Sequence, residues 1–142
     1  LEGKGTYPSY IACNLYGKKG TRFLSMIKHP KNGTPYLTQD GKDRESGLDQ
    51  YIANMCDSAL AGFKYFDLSE TKEISVAIKG RAEGTLYVRT SENGEAVATI
   101  TVSPCKELKE FSSAVCTSGN REALFFTFEG KGSFDFISFT LK

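Results

Sequence analysis

The chain has 142 residues, with 18 basic and 17 acidic side chains, a formal charge of +1 and a single histidine. This length suffices for one domain with its own core, and the balanced charge argues against nucleic acid as a partner. No apolar stretch approaches the ~20 residues that cross a bilayer, and the opening residues lack a signal-peptide pattern. We therefore expect no nucleic-acid and no membrane partner. Because the chain opens without methionine, we expect a piece of a longer protein.

The first third of the chain contains two candidate strands followed by a polar break. Residues 7–15 and 21–27 read as strands, whereas residues 28–34 are polar and rich in turn formers. Pro30 and Gly33 interrupt regular structure within this break. We therefore predict tail strands over residues 1–33 and the main module over residues 34–142.

The middle of the chain shows the period-two alternation of half-buried strands. A short edge strand opened by proline is expected at residues 35–38, and further strands at 51–55 and 62–68. From Glu73 onward, β-branched residues alternate with polar ones through three more runs. The Asn93-Gly94 pair between the second and third of these runs predicts a tight hairpin, because both residues tolerate positive φ angles.

The last third repeats this pattern with phenylalanine as the main apolar residue. Strands are predicted at 123–128 and 133–141, separated by a break at Gly130-Lys131-Gly132. Strict alternation would place Asp135 on the same face as Phe139 and Leu141, toward the core or its rim, where a carboxylate needs a partner. Many short strands with polar turns predict an all-β sandwich of two antiparallel sheets.

Few residues suggest catalysis. The lone His29 lies in the polar break, so a solvated loop histidine is the expected reading, and no pair of carboxylates stands out by spacing. We predict that the chain is not an enzyme.

The four cysteines show no CxxC pair, which argues against a structural metal site. We expect them to be buried free thiols. Cys105 and Cys116 flank one predicted strand, and sequence alone leaves open whether they meet.

Several segments together resemble one known family. Residues 36–43, 49–55, 61–67, 84–90 and 130–136 are similar to family 6 carbohydrate-binding modules of the type that follows family 43 glycoside hydrolases. The first 15 residues resemble the tail after the catalytic domain in such xylosidases and arabinofuranosidases. The resemblance implies a jelly-roll β-sandwich, a ligand among plant cell-wall polysaccharides or oligosaccharides, and a family 43-type catalytic domain in the same polypeptide.

The resemblance also implies a sugar site in loops at one end of the sandwich, formed by two aromatic residues and an asparagine. The first aromatic position corresponds to Tyr51 or to Met55, with Asn54 between them, and the second corresponds to Leu108. The asparagine position corresponds to Ser133. A second site on a sheet face would involve Tyr87 and Arg89, which also fit ordinary solvent-facing positions.

Family members often hold a structural calcium, and the resemblance assigns Asp40 and Asp135 to that site. Lys42 occupies a ligand position and would repel the ion, so we expect calcium binding to be weakened or replaced by an ion pair.

Two functions are consistent with these features. The first is non-catalytic binding that targets a glycoside hydrolase to xylan or arabinoxylan. The alternative is a structural accessory domain that packs on and stabilises the catalytic domain, with lost or very weak sugar binding. A sugar site plugged by Leu108 would favour this alternative. The resemblance suggests a secreted or extracellular parent enzyme, with a cytoplasmic location as the other option.

Overall fold

The computed structural model describes residues 1–17, 20–21, 35–39, 50–117 and 119–142. The predicted all-β class is confirmed, and the described part contains one short 3-10 helix, Ser9–Ile11. No helix in these ranges is long and apolar enough to cross a membrane. The strands are β1 Gly5–Pro8, β2 Asn14–Gly17, β3 Gly20–Thr21, β4 Tyr36–Gln39, β5 Gln50–Met55, β6 Leu60–Phe66, β7 Glu73–Gly80, β8 Glu83–Arg89, β9 Ala96–Val102, β10 Cys105–Ala114, β11 Glu122–Lys131 and β12 Phe134–Leu141.

The described strands form two antiparallel sheets. Sheet I has the order β10-β7-β12-β5-β4, with β1 also paired to β12, and sheet II has the order β3-β2-β6-β11-β8-β9. From β5 to β12 the chain changes sheet at every connection except the β8–β9 hairpin. This repeated crossing is the jelly-roll arrangement predicted from the sequence.

The core lies between the sheets and is filled mainly by phenylalanine. Period-two alternation in β7 places Ile74, Val76 and Ile78 inside, each at most 1% exposed. Phe63 of sheet II contacts Phe139 of sheet I with ring centroids 4.8 Å apart. Such edge-to-face pairs contribute about 0.5–1.5 kcal/mol beyond the area that they bury. The fully buried phenylalanines are Phe63, Phe66, Phe126, Phe128, Phe134, Phe136 and Phe139.

The predicted direction of Asp135 is wrong because β12 contains a bulge. Phe136 pairs with Ile78 while Ser138 pairs with Ala77, so Ile137 is an extra residue relative to β7. A bulge shifts the alternation by one position. Phe136 and Phe139 therefore both point into the core, and Asp135 lies on the outer face of sheet I.

The N-terminal residues complete both sheets. β1 pairs with β12, and β2 pairs with β6. The single strand predicted for residues 7–15 is interrupted by the 3-10 turn, where the fully buried Ser9 hydroxyl donates to the Phe136 carbonyl and accepts from the Ile52 N–H at 3.0 Å. The predicted strand beyond Thr21 and the predicted break at residues 28–34 lie outside the described residues.

The hairpin predicted between β8 and β9 is present, but its turn differs from the prediction. Neither Asn93 nor Gly94 has a positive φ angle. The Gly94 N–H instead donates to the Ser91 carbonyl at 3.4 Å within a longer connection, residues 90–95. A longer loop removes the need for the left-handed conformation that a two-residue turn imposes.

The cysteines are free thiols, as predicted, but they are not buried. Cys13 and Cys116 are exposed, and Cys56 and Cys105 are half-buried. Burial raises the pKa of the Cys56 thiol, because the thiolate is poorly solvated there. Cys105 opens the ten-residue strand β10 and Cys116 lies beyond its other end, so the two cannot meet.

Candidate functional site

A cavity of about 800 Å³ opens at one end of sheet I. It lies where β7 ends, where β10 begins after the crossover from sheet II, and beside the start of β12. Its volume falls within the roughly 300–1,000 Å³ typical of small-molecule sites. The residues that line it are Lys79, Gly80, Arg81, Pro104, Cys105, Lys106 and Asp135.

Gly80 allows three strands to meet closely at the cavity. It is the register partner of Cys105 on one side and of Phe134 on the other. Its φ is +144°, and a Cβ there would lie 2.7 Å from the Ser133 carbonyl oxygen and 2.8 Å from the Phe134 Cα. Only glycine fits such a position without displacing backbone. The next residue, Arg81, donates its N–H to the same Ser133 carbonyl at 3.0 Å.

One wall of the cavity comes from an irregular part of β10. Cys105 pairs with Gly80 but Lys109 pairs with Ile78, so β10 has extra residues between these two points. Such an irregularity pushes side chains away from the regular ladder. Leu108 is accordingly 57% exposed, and it is not among the residues that line the cavity.

Tyr51, Lys79 and Asp135 form a cluster on the outer face of sheet I. Lys79 and Asp135 are direct register partners on β7 and β12, which places opposite charges side by side. The Lys79 Nζ atom lies 5.7 Å from the ring centroid of the half-buried Tyr51, within the range of a cation–π contact. Lys79 thus contacts Tyr51, the predicted aromatic position, and also lines the cavity.

The other predicted sugar-site residues divide between the cavity rim and the core. Ser133 is half-buried at the rim, and Asn54 is half-buried with a φ of +61°. Met55 is a correction, because its side chain is 0% exposed in the core opposite Phe134 and cannot touch a ligand. Of the two alternatives for the first aromatic position, the structure therefore leaves Tyr51.

Asp135, the described half of the predicted calcium site, lies among basic side chains. Its register partner is Lys79, and Arg81 and Lys106 line the same cavity. Within the described ranges no three His, Cys, Asp or Glu side chains cluster as metal ligands. Asp40 and Lys42 lie outside the described residues, so the predicted effect of Lys42 on calcium stays a prediction.

The second surface suggested by sequence, around Tyr87 and Arg89, is on the outer face of sheet II. The Arg89 guanidinium carbon lies 5.1 Å from the Tyr87 ring centroid, and its Nε donates to the Gly94 carbonyl at 3.1 Å. Both side chains are half-buried and lie on the sheet opposite to the one that carries the cavity.

Sequence reasoning missed the cations of the cavity. Lys79 appeared only as the polar partner in an alternating strand, and Arg81 and Lys106 belonged to no motif. The pairing of Gly80 with both Cys105 and Phe134 brings these three cations to the same cavity. The sequence signal closest to this arrangement is the glycine that ends a strongly alternating strand, directly before an arginine.

Comparison with known proteins places this geometry in context. No protein-family profile matches the chain. Over 99% of its length, the chain is 42% identical to a xylosidase/arabinosidase from Thermoclostridium stercorarium, and it spans 30% of that protein.

The similar solved structures share the fold at low sequence identity. A family 6 carbohydrate-binding module from Clostridium cellulolyticum, in complex with xylose, matches all of this chain and 99% of its own, with a TM-score of 0.74 and 11% identity. A family 6 module from Clostridium stercorarium, in complex with cellobiose, gives a TM-score of 0.72 at 13% identity, over 99% of this chain and 95% of that one. A family 43 arabinoxylan arabinofuranohydrolase from Bacillus subtilis gives 0.72 at 15% identity, over 100% of this chain and 28% of its own.

The fold defines the class of protein. The chain has the jelly-roll β-sandwich fold of family 6 carbohydrate-binding modules, and the resemblance predicted from the sequence is confirmed. Its sequence is similar to a module-sized part, 30%, of a xylosidase/arabinosidase. The two family 6 modules are matched along nearly their whole length, whereas the arabinofuranohydrolase and the xylosidase/arabinosidase are matched over less than a third of theirs.

Proposed function

We propose that this module binds plant cell-wall polysaccharide, of the xylan or arabinoxylan type, through the cavity at the end of sheet I. The observation that carries the proposal is the cavity itself, which combines charged side chains, an adjacent tyrosine and backbone groups at one end of the sandwich. The parent protein would be a glycoside hydrolase, as in the 42% identical xylosidase/arabinosidase. Binding would raise the local concentration of substrate by tethering the enzyme to the chain.

The cavity residues and the neighbouring Tyr51 suit the polar hydroxyl groups and the apolar face of a sugar ring, respectively. The Asp135 carboxylate is placed to accept hydrogen bonds from hydroxyl groups, and charge-assisted bonds of this kind are about twice as strong as neutral ones. The Tyr51 ring offers a flat apolar face beside Lys79. One aromatic face with a few polar groups would give the modest affinity expected of a tethering module.

A sugar site plugged by Leu108 would favour the alternative function, a structural accessory domain. Leu108 is 57% exposed and does not line the cavity. Leu108 therefore does not fill the cavity, which has a volume of about 800 Å³. These observations favour the binding function over the accessory one.

A binding screen with substitutions tests this proposal. We expect xylan, arabinoxylan and xylohexaose to bind, with Asp135→Ala and Tyr51→Ala each lowering the affinity about 10-fold or more, because a lost charge-assisted bond or stacking contact costs roughly 1–3 kcal/mol. Isothermal titration calorimetry gives the dissociation constants, and unchanged thermal midpoints confirm that the variants fold.

The matched control is Arg89→Ala on sheet II, which should leave the affinity unchanged. Equal affinities for the wild type and both cavity variants would contradict the proposed site. Absence of binding to every polysaccharide would instead favour the accessory role.

A further inference from the structure

Among the residues that the structure describes, the cavity lining carries more positive than negative charge. The described cations are Lys79, Arg81 and Lys106, and the described carboxylate is Asp135. Lys79 and Asp135 are register partners on neighbouring strands, which places opposite charges side by side. Arg81 and Lys106 add two further positive charges to the described lining.

These two cations are available to a ligand. Both side chains are exposed, and neither makes a hydrogen bond or ion pair with a described residue. Glu107 follows Lys106 in the chain but does not line the cavity. Arg81 is held by its backbone, since its N–H donates to the Ser133 carbonyl, while its side chain stays open to solvent.

The rest of the lining suits an organic ligand better than a small inorganic anion. Gly80, Pro104 and Cys105 contribute backbone and apolar surface between the cations. A cavity of about 800 Å³ also exceeds what one phosphate or sulfate would fill. An anionic group attached to a sugar ring could pair with the cations while the ring contacts the apolar surface between them.

We propose that the cavity prefers carbohydrate that carries a carboxylate, namely a uronic acid unit, over the same carbohydrate without charge. Arg81 presents a planar guanidinium that matches a carboxylate in a bidentate geometry. Lys106 adds a point charge from the neighbouring strand β10. This inference rests on the proposed function and narrows it to acidic saccharides such as glucuronic acid-substituted xylan.

The test compares two ligands that differ only in charge. One is a xylo-oligosaccharide with a single glucuronic acid side group, and the other is the same compound after reduction of its carboxyl group to an alcohol. At low salt we expect the acid to bind about 10-fold more tightly. That preference should shrink at high ionic strength, because the two cations are exposed and screened.

Substitution at the cations separates the charge effect from sugar binding. In the double variant Arg81→Gln/Lys106→Gln the preference should disappear, so that the ratio of the two affinities falls to about one. Lys64→Gln, which changes an exposed lysine on β6 of sheet II that does not line the cavity, should preserve the preference. Oligogalacturonate as a third ligand shows whether a side-group or a backbone uronate is favoured, and tighter binding of either acid supports the inference.

Three outcomes would overturn the inference. Equal wild-type affinities for the acid and its reduced form would overturn it while leaving the proposed function intact. Displacement of the acid by inorganic phosphate as efficiently as by free glucuronate would show an unspecific anion site. Failure of both ligands to bind would remove the proposed function as well.

Discussion

Phe139→Ala is expected to lower the free energy of unfolding by about 3–5 kcal/mol, the usual cost of removing a buried phenylalanine ring. Its ring is 0% exposed and lies between the two sheets, 4.8 Å from Phe63 and 5.1 Å from Phe126 by centroid distance. It also lies 5.6 Å from Tyr7 of the N-terminal strand. Truncation of Phe139 would leave a void between the two sheets, and the neighbouring side chains could not move enough to fill it. A domain of this size should lose roughly 10–20 °C in Tm.

Leu108→Ala is the matched control for this core substitution. Leu108 is 57% exposed, so its removal should change the unfolding free energy by no more than about 0.5 kcal/mol. Urea unfolding of both variants gives the comparison. A loss below 1 kcal/mol for Phe139→Ala, or equal losses for the two variants, would contradict the aromatic core described above.

Gly80→Ala is expected to destabilise the chain by about 2–4 kcal/mol and to weaken polysaccharide binding, because two costs add at this position. Its φ of +144° disfavours any side chain. The new Cβ would also lie 2.7 Å from the Ser133 carbonyl oxygen and 2.8 Å from the Phe134 Cα, so backbone must move. That movement would separate β7 from β12 at the floor of the cavity.

Gly5→Ala separates the two costs. Gly5 has a comparable φ of +129°, but a Cβ there would meet nothing within 4 Å. It should therefore show only the conformational penalty, about 1–2 kcal/mol, with unchanged affinity for polysaccharide. If Gly80→Ala matched Gly5→Ala in both stability and affinity, the close meeting of strands at Gly80 would not support the site.

The strands were predictable because one-sided burial imposes period two. Ile74, Val76 and Ile78 follow that period and are all buried as expected. The predicted direction of Asp135 was wrong because it depends on the bulge at Ile137. That bulge is defined only by the pairing of β12 with β7. A register shift of one residue reverses the face of every position before it.

The candidate site was predictable only in part, because it is assembled from strand ends that are distant in sequence. The resemblance directed attention to Tyr51, Ser133 and Leu108, which lie near the cavity but do not line it. Met55 is buried in the core, since a residue at the end of a strand can face either the core or the solvent. Arg81 and Lys106 carry no local signal, and the pairing of Gly80 with two partner strands is what brings them together.

Mapping of the binding surface by NMR tests the central claim most directly. A ¹⁵N-labelled sample titrated with xylohexaose or a xylo-oligosaccharide carrying glucuronic acid should show its largest amide shifts at residues 79–81, 105–106 and 135. Residues around Tyr87 and Arg89 should stay unperturbed, since they belong to sheet II and do not line the cavity. The largest shifts on the outer face of sheet II, or no shifts at all at saturating ligand, would contradict carbohydrate binding in the cavity of sheet I.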